Sequence, residues 1–134
     1  MDTDPSITED QIATLISRFY ERVRKDALIG PVLTGAIDNW LPHLETLTAF
    51  WSSVMLTSGR YKGNPIAAHM KHLATIRPPM FDRWLTLWVQ VTAETLPAGI
   101  ARELQAKAQR IAQSLKLALY FRLPPHGMPV IAGA

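Results

Sequence analysis

Apolar residues recur at helical spacing over most of the chain, and the breaks between the stripes fall at proline, glycine and polar clusters. The first stripe runs Ile12, Leu15, Ile16, Phe19, Tyr20 and Val23, behind Thr8 and Gln11 in the form of a capping box, and predicts a helix from about Glu9 to Lys25. Arg18, Glu21, Arg22 and Arg24 take the other side, so the stripe faces a core with Tyr20 at its edge. Ile29-Gly30-Pro31 interrupts the pattern, and Val32, Leu33, Ala36 and Ile37 form an apolar connector with room for one or two helical turns. A cap at Asp38 or Asn39 and a first-turn proline at Pro42 open an element from about Leu41 to Thr57. Its stripe is His43, Leu47, Phe50 and Val54, widened by Leu44 and Trp51.

After the loop from Ser58 to Gly63, Asn64 and Pro65 start a short helix in which Ile66, His69, Met70 and Leu73 share an arc of roughly 100°. Pro78-Pro79 places the next start near Met80, and Met80, Trp84, Leu87, Trp88 and Val91, with Phe81 and Leu85, give an amphipathic helix to Leu96. Pro97 and Gly99 stop it. A last helix from about Ile100 to Arg122 turns Leu104, Ala108, Ile111, Leu115, Ala118 and Leu119 inward. Nothing alternates with period two for long enough to need a strand, so the fold class is all-α, about five to six helices packed obliquely.

Composition narrows this picture. A chain of 134 residues, 48% hydrophobic and 19% charged, holds one compact domain rather than two. The expected limits are a flexible lead-in over 1–7, the domain over 8–123 and a flexible tail over 124–134. With no cysteine there is no disulfide framework, thiolate nucleophile or cysteine-based metal site. The net charge of +3 comes without a run of Lys or Arg, which argues against nucleic acid. An acidic, polar amino end and the lack of any run of about 18 apolar residues point away from export and membrane spanning. A cytoplasmic protein, with a monomer favoured, is the expectation.

Two histidines, His69 and His43, stand on apolar faces of different helices, and six aromatic side chains (Phe19, Tyr20, Phe50, Trp51, Trp84 and Trp88) share those faces. Each has a bland reading: a core histidine with satisfied nitrogens, a tryptophan filling volume. Together they suit haem, since one imidazole suffices for an iron whose other four donors come from the porphyrin. The His69-x-x-His72 pair with Asp82 or Glu94 is a poorer zinc set. No catalytic triad or phosphate loop can be built from the spacing.

The segments Phe19-Tyr20-Glu-Arg-Val-Arg-Lys-Asp, Ile29-Gly-Pro, Trp40-Leu-Pro-His43, Phe50-Trp51, Tyr61-Lys-Gly-Asn-Pro-Ile-Ala-Ala-His69 and Phe81-Asp-Arg-Trp84-Leu, in order over about residues 8 to 122, closely resemble the third group of truncated haemoglobins. The absence of Gly-Gly pairs agrees, because those pairs mark the other truncated groups. The resemblance implies a shortened globin fold sandwiching haem b, with His69 as the proximal iron ligand. It places Tyr20, His43 and Trp84 on the ligand side and implies that Leu47 walls that pocket. The apolar cofactor contacts then include Phe50 and Leu33, the latter standing where the family commonly has phenylalanine. Arg60 and Lys62 are candidates for the haem propionates, and His72 is the second choice for the iron. The implied function is reversible binding of O2 or another diatomic ligand (NO, CO, cyanide). The alternatives are a haem enzyme, acting as an NO dioxygenase with an unidentified reductase or as a peroxidase, and a haem-free helical module binding a small apolar molecule.

Overall fold

The computed structural model describes residues 7–37, 39–72 and 75–120. Six α-helices follow one another: α1 (Glu9–Arg24), α2 (Gly30–Ala36), α3 (Trp40–Leu56), α4 (Pro65–Met70), α5 (Pro78–Thr95) and α6 (Ala98–Tyr120), and no strand occurs among the described residues. The all-α expectation holds. Leu73 of the short helix, the lead-in over 1–6 and the tail over 124–134 lie outside the described residues.

α1 is the spine. Its capping box forms, with Thr8 Oγ1 accepting from Gln11 N at 3.1 Å and Thr8 N donating to Gln11 Oε1 at 2.9 Å. All six apolar residues of its stripe are buried, Tyr20 with them rather than at an edge. Ile7, expected in the lead-in, is only 4% exposed and belongs to the same cluster as Ile12. It precedes the cap by one residue, where an apolar side chain can staple onto the helix's second turn. α1 packs on α2, α3 and α5, while α5 and α6 form the broadest helix pair and α4 rests on α6.

The connector resolves into a full short helix, α2. Gly30 lets it approach the end of α1 closely: a Cβ there would lie 2.6 Å from the Arg24 carbonyl oxygen. Asp26 ties this corner down. Its Oδ2 accepts from the backbone N–H groups of Leu28 (3.0 Å) and Ile29 (3.1 Å), while Oδ1 accepts from Arg83 Nε of α5 at 2.8 Å. α5 and α6 begin two residues earlier than predicted, because Pro78 and Pro79 both fit the first turn of α5 and Ala98-Gly99 continue into α6 rather than ending α5. α3 runs Trp40–Leu56, with Asn39 at its N-cap making no side-chain cap bond and Thr57 closing it in the left-handed region at φ 50°.

The centre of the core is aromatic. Trp51 of α3 stacks on Trp88 of α5 with ring centroids 4.6 Å apart, and Trp88 stacks on Trp84 at 5.5 Å with the planes 7° from parallel. Phe19 meets Trp84 and Trp88 edge-on at 5.6 and 4.8 Å. The one polar atom of Trp88, its indole N–H, donates to the Leu104 carbonyl at 3.1 Å, so the fully buried ring leaves no donor unpaired. A second polar knot joins α3 to the first turn of α1. Ser52 Oγ, buried, donates to Glu9 Oε2 at 2.6 Å and lies 2.7 Å from Ser58 Oγ, while Arg60 pairs with the other oxygen of Glu9.

Candidate functional site

The short helix α4 carries the first component. Asn64 Oδ1 accepts from Ala67 N at 3.1 Å and Pro65 occupies the first turn, as the sequence predicts. One turn later the His69 ring turns back, and its Nδ1 lies 2.7 Å from the Pro65 carbonyl oxygen. A carbonyl can only accept, so Nδ1 carries a proton and Nε2 is the ring nitrogen left to bind a metal. Nε2 has no hydrogen-bond partner among the described residues. Phe81 flanks the ring at 6.2 Å between centroids, tilted by 32°. This is the arrangement a metal needs from imidazole, with its orientation held by a backbone acceptor.

The protein covers the surroundings of His69 only in part. No residue of α4 is buried, and Ile66, from the arc expected to face inward, is 42% exposed. Of α3 only Trp51 and Ser52 are buried, while His43, Leu47 and Phe50 are half-buried, as is Leu33 on α2. Leu33, Leu47 and Phe50 pack on the margin of the main core.

The second component lies where α1, α3 and α5 meet. Tyr20 is 5% exposed, and burial pushes its phenol up to about 12, with the Trp84 indole N–H acting in the opposite direction. It is therefore a neutral donor at any physiological pH. The His43 ring stands edge-on to Tyr20 at 6.1 Å. Burial lowers its pKa, so His43 too is neutral near pH 7. Trp40, given no site role above although it opens the segment Trp40-Leu-Pro-His43, meets His43 edge-on at 5.9 Å and carries the Arg24 guanidinium on its face at 4.7 Å. Tyr20 thus has both the His43 ring and the Trp84 indole N–H as neighbours.

The two loop cations have different neighbours. The Arg60 guanidinium is engaged by Glu9, a contact spanning fifty-one residues that local spacing does not reveal. Lys62 lines, together with Arg60, a cavity of about 510 Å³ between α3 and α4, whose wall also includes Thr46, Tyr61 and Lys71. His72 sits in the turn after α4, half-buried. Asp82 pairs with Lys116 at 3.6 Å and Glu94 with Arg22 at 2.7 Å, on the polar sides of their helices. Among the described residues, no three side chains of the His, Asp or Glu type converge.

With the geometry in hand, comparison with known proteins places the chain. No family model matches it. A curated relative, group 3 truncated hemoglobin ctb of Campylobacter jejuni, is 30% identical over 123 residues, covering 86% of this chain and 93% of the relative. The crystal structure of group III truncated hemoglobin from Campylobacter jejuni superposes with a TM-score of 0.78 at 30% identity, over 89% of this chain and 96% of that one. The chain belongs to the group III truncated haemoglobins. It has the truncated globin fold that its residue pattern resembles, and no helix among the described residues is long and apolar enough to cross a membrane.

Proposed function

We propose that this chain binds haem b through His69 and uses Tyr20, Trp84 and His43 to hold a diatomic ligand, O2 foremost, on the opposite side. The observation that carries the reading is the bond between His69 Nδ1 and the Pro65 carbonyl, which orients the imidazole and leaves Nε2 as the nitrogen that can bind iron. Haem, when bound, supplies the iron that takes the ligand. The apolar edges of Leu33, Leu47, Phe50 and Ile66 are side chains the protein leaves partly uncovered, and a porphyrin is flat and apolar enough to cover them. Lys62 and Lys71, rather than Arg60, have no ion-pair partner among the described residues.

A neutral phenol and an indole N–H are donors that cannot be lost to deprotonation near neutral pH, and they would stabilise a ligand that gains negative charge on binding. His43 adds a third donor through one nitrogen. Its neutrality keeps a full positive charge out of an apolar pocket.

The test is direct. Purified protein supplemented with hemin is expected to show a Soret band that His69→Ala abolishes and His72→Ala retains. A protein that stays colourless, or a His69→Ala variant with unchanged absorption, overturns the assignment.

A further inference from the structure

The aromatic side chains at the centre of the core form a continuous line, and it ends at the surface beside a cationic cavity. Trp84, one of the three donors of the ligand pocket, stacks on Trp88 at 5.5 Å and 7°, and Trp88 stacks on Trp51 at 4.6 Å and 21°. Phe50 bridges Trp51 (5.6 Å) to Tyr61 (5.1 Å), each contact edge-on. Indole is the most readily oxidised of the apolar side chains, and parallel rings at these separations exchange an electron far faster than an isolated radical decays. Trp88 donates its N–H to the Leu104 carbonyl, which cannot take up a proton, so an oxidised Trp88 keeps its proton and returns intact once re-reduced.

Tyr61 differs from the tryptophans. It is half-buried and lines the cavity of about 510 Å³, a size suited to a small molecule, so its phenolic proton has water within reach. Lys62 and Lys71 line the same cavity, and neither has an ion-pair partner among the described residues. Ala67 and Lys71 stand about 160° to 200° around α4 from His69, so the cavity and the imidazole occupy opposite faces of that helix.

We propose that Trp84, Trp88, Trp51 and Tyr61 form a one-electron relay from the ligand pocket to a surface site where a small anionic enediol or phenol-type reductant docks, giving the protein a peroxidase activity exercised at Tyr61. This rests on the haem reading above. Hydrogen peroxide takes two electrons and two protons and leaves as two waters. Each electron is made good along the tryptophans by Tyr61, which gives its phenolic proton to solvent and becomes a neutral phenoxyl radical. A reductant AH in the cavity restores Tyr61 by supplying one electron and one proton, so that H2O2 and two AH yield two waters and two A radicals. Lys62 and Lys71 raise the local concentration of an anionic donor.

The experiment uses hemin-loaded protein whose Soret band has been confirmed, treated with one equivalent of hydrogen peroxide without reductant and mapped by mass spectrometry for oxidised residues. Tyr61 is expected to carry hydroxylation or a dityrosine cross-link in the wild type and none in the hemin-free protein. In Trp51→Phe that modification is expected to be lost and to accumulate at Trp84 and Trp88. In Tyr61→Phe, at a half-buried position that folding tolerates, it is expected to retreat to Trp51. With ascorbate as the probe, Lys62→Glu should raise the half-saturating concentration by a larger factor than it does for neutral hydroquinone. Equal Tyr61 modification with and without Trp51, or none in a protein that binds hemin and consumes peroxide, overturns the relay while the haem reading stands. A colourless protein overturns both.

Discussion

Replacing Tyr20 by phenylalanine removes one oxygen atom from the ligand pocket and leaves the ring that packs against Phe19 at 4.8 Å in place. The hydroxyl is a neutral donor, since burial pushes its pKa to about 12, and the residue is only 5% exposed, so water does not compete for it. A hydrogen bond to a group bearing charge contributes about 1.5 to 3 kcal/mol. The Trp84 N–H and His43 remain in Tyr20→Phe and take over part of that role, which places the loss near the lower end. At 1.4 kcal/mol per decade, dioxygen should leave roughly tenfold faster. Stopped-flow displacement of O2 by CO measures the rate. Trp84→Phe and the double variant complete a cycle, and because the Trp84 N–H lies within hydrogen-bond reach of the Tyr20 hydroxyl their effects should not add. Unchanged dissociation in both single variants and in the double would refute the claim that these donors stabilise the ligand.

Two further outcomes concern the frame. The Asp26 carboxyl is held below its ordinary value of 3.8 chiefly by the hydrogen bond from Arg83, helped by the Leu28 and Ile29 backbone N–H groups. Its folded-state pKa is depressed, so the stability it contributes is complete above about pH 5 and fades as pH falls through 3.8 and on through the lower folded value. Asp26→Asn should unfold at lower urea concentration at neutral pH and show a shallower loss between pH 5 and pH 3; equal slopes in urea titrations would contradict this. Gly30→Ala should cost about 1 to 3 kcal/mol, because the new methyl meets the Arg24 carbonyl oxygen at 2.6 Å and α2 must move away from α1. A thermal midpoint equal to the wild type's would show that the corner has slack.

How far the sequence reads through to the structure varies along the chain. α1 was fully legible, because its capping box and all six stripe positions are local features and the helix packs on neighbours along that whole face. α3 was legible as a helix but not as a buried one: its stripe has the right period, yet His43, Leu47 and Phe50 stay half-buried where no other helix covers them. The orientation of His69 needed the structure, since the Pro65 carbonyl becomes its partner only once the backbone has made a turn. The stack of Trp51 on Trp88 depends on how α3 and α5 cross, and Arg60 finds Glu9 across fifty-one residues of chain. Neither follows from spacing along one helix.

The knot of Ser52, Ser58, Glu9 and Arg60 holds the start of the segment leading to α4, whereas the six residues of α4 itself include none that is buried. α4 is thus fastened to the body of the molecule through the loop at its base, and local opening of its six residues would uncover little apolar surface while Trp51 and Trp88 stay enclosed.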